Sequence, residues 1–302
     1  MRGHDYRTVD VPVAGGELRV GVWEPVGGAE HTVLAVHGVT SSHLAWPLVV
    51  EQLPGVRVIA PDLRGRGASN AVQGSAGMTA HADDLAAVLD ALDVDSLTVV
   101  GHSMGAFVAV VLAGRHPERV TRLVLVDGGL PLDVPPGIQP AQLVQLILGP
   151  VAERLSQRWA DVDAYIADFW RDHPAFADDW SDELEAYIAY DLVPEGDAMR
   201  SATCGSVMAD DVVDMNTGST LPDALAGLAT PTLFITVPRG LQNETPGLYP
   251  PAHLEKMLAE YPAVRHVHLD DLNHYTVVMG RRGAAALGQL VRAELAALPA
   301  AT

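Results

Sequence analysis

Short apolar runs alternate with helical patterns along the first 126 residues, and this alternation constrains the fold more than any other feature of the sequence. The runs lie at 32–36, 57–60, 96–101 and 121–126 and are rich in valine and leucine. Runs of this length are typical of strands buried on both faces, as in a parallel sheet. Alternation of such strands with helices predicts an α/β fold, with a mostly parallel sheet flanked by helices.

Helical patterns fill the intervals between these runs. They begin near residue 42 and then cover 78–93 and 104–116, with an apolar stripe along one side of 78–93. Ahead of the first buried strand, 8–14 and 17–24 have the pattern of a hairpin with two glycines at its turn. The first half of the chain is therefore predicted to form most of the sheet.

The strand pattern stops after residue 129 and returns near residue 231. Between these positions no strand is predicted, and helices are predicted over 139–148, 161–172 and 181–191. The later pattern predicts strands at 231–236 and 264–269 and helices at 251–260 and 281–298. The sequence thus predicts an α/β core of 1–130 and 226–302, interrupted by a helical cap over 131–225.

A Gly-His-Ser-Met-Gly pentapeptide at 101–105 connects a predicted strand to a predicted helix. Glycines two residues before and after the serine relieve the crowding of a sharp strand-to-helix turn. The hydroxyl of the serine is then exposed at the carboxyl edge of the sheet. Ligands of open α/β sheets bind at this edge. Ser103 is therefore the predicted nucleophile.

A serine hydroxyl needs a general base within hydrogen-bond reach to become an effective nucleophile. His274 follows the last predicted strand, at the same sheet edge as Ser103, and is the predicted base. His266 and His268 alternate along that strand with no third ligand in view, so no metal site is predicted. Four other histidines fall on segments predicted to lie at the surface: His31, His81, His116 and His173.

The oxyanion that forms when a serine attacks a carbonyl needs preorganised N–H donors. The backbone N–H of Met104 is one candidate, because Met104 begins the helix after the nucleophile and the helix dipole adds to the same field. The loop at 37–42 follows an adjacent strand and should supply the second donor. The N–H of Val39 is the predicted one.

Four motifs follow one another in a recognisable order: His-Gly at 37–38, Pro-Asp-Leu-Arg-Gly-Arg-Gly at 61–67, the pentapeptide at 101–105 and the late His274. This order resembles the α/β-hydrolase superfamily, in particular its serine-nucleophile, esterase- or lactonase-like branch with a helical lid after the sixth strand.

The resemblance covers roughly 17–130 and 228–298. It implies that the lid shapes the substrate pocket and that the reaction passes through an acyl-enzyme. It implies no metal ion and no organic cofactor.

The acid of the triad departs from the commoner family pattern. Most members of the superfamily place it just after the seventh strand, but the segment 235–244 has no aspartate at the expected place. Asp127 ends the sixth strand, and certain haloalkane dehalogenases and fungal-type zearalenone lactonases place their acid after that strand. Asp127 is therefore the predicted acid, and Glu244 is the alternative.

The predicted cap contains a large share of the aromatic residues. Trp159, Trp180 and Tyr187 are the candidate substrate-binding residues among them. The same rings could equally form the internal core of the cap, and the sequence leaves both interpretations open. Cys204, also in the cap, is predicted to be a small buried side chain rather than a nucleophile.

Composition limits the partners that the protein is expected to bind and the cellular compartment in which it is expected to act. The formal net charge of −19 argues against nucleic-acid binding, which requires lysine and arginine to meet phosphates. No run of 18 uncharged apolar residues occurs, and the N-terminus lacks the pattern of a secretory signal, so no membrane span or export is expected. A single cysteine rules out an internal disulfide and favours a cytoplasmic setting.

These features together predict a serine hydrolase that cleaves a small-molecule carboxylic ester or lactone of moderate size and largely apolar character. Cleavage of a carbon–carbon bond or an amide by the same triad is the alternative within hydrolases. A non-catalytic small-molecule receptor of the same fold and a cofactor-free peroxidase or oxygenase remain open. An aspartate nucleophile, as in haloalkane dehalogenases and epoxide hydrolases, is disfavoured because Ser103 occupies that position.

Overall fold

A computed structural model of the protein describes residues 3–135, 137–149 and 153–298. The strands in these residues are β1 (His4–Val13), β2 (Gly16–Pro25), β3 (His31–Val36), β4 (Val56–Pro61), β5 (Leu97–His102), β6 (Val120–Val126), β7 (Leu192–Glu195), β8 (Ala198–Ser201), β9 (Thr232–Thr236) and β10 (Arg265–His268). Eight of the described strands form one sheet in the order β1-β2-β4-β3-β5-β6-β9-β10. Only the pairings of β2 with β1 and β4 are antiparallel in that sheet.

Helices cover both faces of the sheet. They are α1 (Pro47–Val50), α2 (Met78–Ala91), α3 (Met104–Arg115), α4 (Pro140–Leu148), α5 (Val162–Tyr165), α6 (Asp182–Tyr190), α7 (Gly205–Thr217), α8 (Thr220–Ala226), α9 (Pro251–Glu260), α10 (Thr276–Met279) and α11 (Arg281–Ala296). Two apolar clusters, one with α2 and α3 and one with α1 and α11, enclose the sheet. All six residues of β5 are buried, as its position between two parallel neighbours requires.

The fold class predicted from the sequence is confirmed, because the observed strands and helices of the first half follow the predicted alternation. The helix predicted from about residue 42 is shorter than expected. A single 3₁₀ turn at His43–Ala45 precedes the four residues of α1. Pro47 explains the break, since proline is accommodated in the first turn of a helix but not inside one.

The inserted segment runs from Asp127 to Pro231, between the neighbouring strands β6 and β9. It contains a β-hairpin, β7 and β8, where no strand was predicted. The strands have four residues each and turn at Gly196, whose φ is +62°, so they are too short to show an alternating pattern. The helix predicted over 161–172 is also divided, into α5 and a π-helical turn at Ile166–Trp170.

Two helices of the insertion, α7 and α8, were not predicted. The buried face of α7 carries the charged Asp211 among apolar residues, which interrupts the apolar stripe that marks a helix in sequence. The predicted cap and core also include residues 1–2, 136, 150–152 and 299–302, which lie outside the described residues. No helix of the described segments is both long enough and apolar enough to span a membrane.

Candidate active site

Ser103 lies at the tip of a sharp turn between β5 and α3. Its backbone has φ +55°, a left-handed conformation that non-glycine residues rarely adopt. The turn is fixed by two hydrogen bonds: the Ser103 N–H donates to the Val126 carbonyl at 2.9 Å, and the Ser103 carbonyl accepts from the Ala106 N–H at 3.0 Å. Strain held in this way by its surroundings is characteristic of functional turns.

The two glycines of the pentapeptide are required by close backbone approach. A Cβ at Gly101 would lie 2.4 Å from the Gly105 carbonyl oxygen, and a Cβ at Gly105 would lie 2.1 Å from the Val36 carbonyl oxygen. Real Cβ atoms do not come this close, so any larger residue would push α3 away from β3 and β5. Both glycines are therefore needed at this turn for a direct steric reason.

His274 and Asp127 meet at the carboxyl edge of the sheet. The His274 Nδ1 lies 2.7 Å from Asp127 Oδ2, and both side chains are buried, at 3% and 0% exposure. A carboxylate can only accept a hydrogen bond, so in the neutral ring Nδ1 carries the proton and Nε2 keeps a free lone pair. Asp127 itself adopts a left-handed conformation with φ +47°, and its N–H donates to the Ile235 carbonyl at 2.8 Å.

Two neighbours hold the backbone of His274. Its N–H donates to the Arg239 carbonyl at 2.9 Å, and its carbonyl accepts from His102 Nε2 at 2.8 Å. Burial, and repulsion from the nearby His274 ring when that ring is protonated, hold the pKa of His102 well below its usual range. His102 is therefore neutral at neutral pH, and it places no second positive charge beside His274, whose ring centroid lies 4.7 Å from its own.

The loop after β3 approaches the nucleophile closely. A Cβ at Gly38 would lie 3.1 Å from Ser103 Cβ, so the loop backbone runs directly over the serine. His37 anchors this loop: its Nδ1 donates to the Gly38 carbonyl at 2.7 Å, and its Nε2 accepts from the Leu63 N–H at 2.9 Å. Burial lowers the pKa of His37 to about 4, so the neutral ring that this pattern needs is present at neutral pH.

The two predicted oxyanion donors are the N–H groups of Val39, in the loop that approaches Ser103, and of Met104, the residue after it. Both residues line the same cavity as Ser103 and His274. Within the described part of the chain, neither N–H group donates a hydrogen bond to another protein group. A buried N–H without an internal partner costs free energy unless a ligand or water satisfies it, so both remain available to bind an anionic oxygen.

The cavity is partly open to solvent, and its lining is largely apolar. Core segments supply most of this surface. The inserted segment contributes Leu132, Tyr187 and Met215. The remaining apolar lining consists of Val39, Met104, Phe107, Leu241, Leu248, Tyr275 and Met279. Apart from His102 and His274, the described residues that line the cavity include no ionisable group other than tyrosine.

The three aromatic residues predicted to bind substrate lie in different surroundings in the structure. Tyr187 lines the cavity, and burial raises its pKa to about 12, so its hydroxyl is neutral. Trp159 and Trp180 are not among the lining residues. Trp159 donates through Nε1 to Asp168 at 3.0 Å, and Trp180 donates through Nε1 to Glu185 at 2.6 Å. Both indoles therefore belong to the packing of the inserted segment.

Glu244, the alternative acid, lies on the exposed surface and bonds within its own loop. Its Oε2 accepts from the Gln242 N–H at 2.7 Å, and its carbonyl accepts from the Gly240 N–H at 2.8 Å. The only acidic side chain that the described structure brings into contact with the His274 ring is Asp127. Cys204 is half-buried, at the N-terminal end of α7, and does not line the cavity.

Most residues of the apolar cavity wall were not predicted from the sequence. Phe107 and Tyr275 could have been found, because each lies within four residues of a predicted catalytic side chain. Met215, Leu241 and Leu248 carry no such signal, since isolated methionine and leucine residues in unassigned segments resemble ordinary core.

Comparison with known proteins identifies the family. Residues 31–164 match the sequence profile of the alpha/beta hydrolase fold. Lipase LipV of Mycobacterium tuberculosis is 34% identical to this chain over 190 residues, which cover 58% of the chain and 70% of LipV. The chain belongs to the alpha/beta hydrolase family. The resemblance to the α/β-hydrolase superfamily that the four sequence motifs indicated is thereby confirmed.

Two further proteins are similar to this chain, one in sequence and one in fold. A protein described as a putative 2-succinyl-6-hydroxy-2,4-cyclohexadiene-1-carboxylate synthase of Bacillus subtilis is 31% identical over 185 residues, which cover 61% of this chain and 57% of that protein. The crystal structure of E-2-(acetamidomethylene)succinate hydrolase superposes with a TM-score of 0.76 at 22% identity, over 97% of this chain and all of the other. The comparisons support hydrolysis as the class of reaction.

Proposed function

We propose that the protein is a serine hydrolase that cleaves neutral, largely apolar carboxylic esters or lactones through an acyl-enzyme. The observation that carries this proposal is the shared apolar cavity of Ser103 and His274, with Asp127 bonded to the far side of the histidine ring at 2.7 Å. A nucleophile, a base and an acid that orients the base are the parts that acyl transfer requires.

The proposed reaction follows from the hydrogen-bond pattern. The free lone pair of His274 Nε2 takes the proton of Ser103 as its Oγ attacks the carbonyl carbon, and Asp127 stabilises the resulting imidazolium. The N–H groups of Val39 and Met104 bind the oxyanion. His274 then returns its proton to the departing alcohol, and water releases the acyl group by the same steps in the second half of the reaction.

The lining of the cavity favours a neutral acyl group. Of its lining residues, Met104, Met215 and Met279 are flexible, polarisable side chains that adapt to acyl groups of different shape. Neither arginine nor lysine is among the described lining residues. A substrate carboxylate buried in this cavity would therefore remain uncompensated, at a cost of several kcal/mol in comparable buried sites.

The lack of a cationic side chain among the described lining residues also argues against the substrate chemistry of one relative. The Bacillus subtilis relative is named for a product that carries a carboxylate and a succinyl group. The apolar lining gives such a product no cationic partner in this chain. Lipase LipV, whose name denotes ester cleavage, is the relative whose chemistry suits the cavity.

A pair of esters of equal length tests this proposal. We expect kcat/KM for p-nitrophenyl valerate to exceed that for mono-p-nitrophenyl glutarate at least about tenfold, because only the glutarate acyl group carries a carboxylate into the cavity. Release of p-nitrophenolate measures both reactions at the same leaving group. Equal rates, or preference for the glutarate, would contradict a neutral-substrate site.

The same assay distinguishes the other activities that the fold permits. Measurement of kcat/KM for a matched p-nitroanilide and a set of lactones compares amide and lactone cleavage with ester cleavage directly. A compound that binds, measured by calorimetry, without any product from the esters, lactones or anilide would favour a small-molecule receptor instead.

Two buried aromatic residues of the insertion provide a matched test of the cavity wall. Tyr187→Ala should change the ratio of kcat/KM for p-nitrophenyl butyrate and octanoate about tenfold, because it enlarges the acyl site. Trp159→Ala should lower the free energy of unfolding by about 3–5 kcal/mol and leave that ratio unchanged, because Trp159 packs against Tyr165 away from the cavity. A changed ratio in Trp159→Ala, or an unchanged one in Tyr187→Ala, would show that the cavity is not the acyl site.

A further inference from the structure

A fully buried arginine connects the two segments that carry the proposed oxyanion donors. The Arg66 Nε donates to the Val39 carbonyl at 2.8 Å, and its Nη2 lies 3.7 Å from Met104 Sδ. Its Nη1 donates to the Arg64 carbonyl at 2.9 Å, which fixes the guanidinium relative to its own loop. One rigid, planar group thus contacts both residues whose N–H groups are the proposed oxyanion donors.

The inserted segment supplies the counter-charge for this arginine. Asp211 Oδ2, on α7, lies 2.5 Å from Arg66 Nη1, and both residues have no solvent exposure. Asp211 Oδ1 accepts from the Gly77 N–H at 2.7 Å and lies 3.0 Å from His81 Nε2. His81, predicted to lie at the surface, is therefore buried beside this ion pair, and α7 is tied to the start of α2.

The charge state of Asp211 follows from these neighbours. Burial alone would raise its pKa, but the adjacent His81 and Arg66 and the Gly77 hydrogen bond hold the pKa well below its usual range. Asp211 is therefore a carboxylate at neutral pH. Met215, one turn later on α7, lines the substrate cavity, so the same helix reaches both the ion pair and the substrate.

We propose that Arg66 is a positioning residue that holds the two oxyanion donors in place, and that Asp211 of the inserted segment fixes Arg66 for this task. The inference rests on the proposed function, because it assumes that Val39 and Met104 bind the oxyanion. Its consequence is that the insertion supports turnover itself, in addition to forming part of the substrate cavity.

The test is the variant Arg66→Lys, measured with p-nitrophenyl valerate. Lysine keeps a positive charge beside Asp211, but a single ammonium cannot replace the guanidinium contacts to both Val39 and Met104. We expect kcat to fall about 10- to 100-fold, as for small displacements and lost donors in comparable sites, with KM nearly unchanged. A purely structural role would lower the amount of folded protein and leave kcat per active site intact, as counted by fluorophosphonate labelling.

Arg64 offers a matched control on the same loop. It is also buried, at 4% exposure, and its guanidinium pairs with Asp84 at 2.7 Å. In the described structure its guanidinium donates to Asp84 and to the carbonyls of Gln73, Ser75 and Ala14, and to neither Val39 nor Met104. Arg64→Lys should therefore keep most of its kcat. An equal loss in both lysine variants would overturn the proposal, because it would reflect the fold of the loop and not the oxyanion donors.

A second measurement keeps the test decisive if Arg66→Lys does not fold. Asp211→Asn removes the counter-charge with little change of shape, and butylboronic acid forms a tetrahedral serine adduct that needs the same N–H donors. In whichever variant folds, the inhibition constant of the boronate should rise in proportion to the loss in kcat/KM. Unchanged boronate affinity, or failure of both variants to fold, would leave Arg66 as a structural residue and overturn the inference.

Ser103→Ala distinguishes a failure of the proposed serine mechanism from a failure of the role proposed for Arg66. If it retains turnover, the proposed function itself fails. If it abolishes turnover while Arg66→Lys keeps full kcat, the serine mechanism stands and only the role of Arg66 is wrong.

Discussion

Ser103→Ala should lower turnover of p-nitrophenyl valerate by at least about a thousandfold, since loss of the nucleophile leaves only the contributions of the oxyanion donors and substrate binding. KM should change little, because the cavity wall and the donors remain. Ser103 is half-buried and lines an apolar cavity, so the substitution to alanine creates no unsatisfied polar group and the chain should stay folded. The measurement is initial-rate kinetics on matched, folded preparations.

A fluorophosphonate probe identifies the nucleophile independently of any chosen ester. It should label the wild-type protein at Ser103 and give no label in Ser103→Ala. Cys204→Ser is the control for a second nucleophile, because Cys204 is the sole cysteine and is half-buried outside the cavity. Labelling of Ser103→Ala, or a large loss of turnover in Cys204→Ser, would count against the serine mechanism.

The strand-turn-helix around Ser103 could be predicted because purely local forces determine it. A β-branched run specifies a buried strand, and two glycines allow the backbone approaches of 2.4 and 2.1 Å that the turn requires. The position of Asp127 beside the active site could be predicted for a related reason. Asp127 directly follows β6, which pairs in parallel with β5, so their carboxyl ends must lie side by side.

The inserted segment could not be predicted to the same degree, because polar groups form part of its buried structure. Asp211 has no exposure in the structure, yet an aspartate in a sequence indicates a solvated face. The partners that make its burial possible, Arg66 and His81, lie some 130 to 145 residues earlier in the chain. Sequence periodicity contains no information about such distant pairing.

The aromatic residues of the insertion illustrate a second limit. Cavity walls and internal cores are both apolar, so composition alone cannot assign a ring to one or the other. The structure shows Trp159 packed on Tyr165 with centroids 4.4 Å apart and Trp180 beneath the Arg171 guanidinium at 4.2 Å, whereas Tyr187 lines the cavity. The distinction depends on how the insertion folds onto the core.

Asp127→Asn should reduce turnover by about ten-thousandfold, the effect of the same replacement in the best-studied serine triad, while the chain folds normally. The carboxylate accepts the proton of His274 Nδ1 at 2.7 Å and so keeps Nε2 free to act as the base. An amide can instead donate to Nδ1, which moves the ring proton to Nε2 and removes the base. It also has no negative charge with which to stabilise the imidazolium. Initial-rate kinetics and the unfolding midpoint measure the two parts of this expectation.

Glu244→Gln is the matched control, because it makes the same acid-to-amide change at the other candidate position. Glu244 is exposed and accepts the Gln242 N–H at 2.7 Å, a bond that the amide oxygen of glutamine can also accept. The variant should therefore keep most of its turnover. The opposite pattern, with Asp127→Asn active and Glu244→Gln severely impaired, would require the loop after β9 to rearrange and deliver its carboxylate to His274. It would reduce Asp127 to a structural residue that ends β6, against the direct contact that the fold builds between Asp127 and the histidine ring.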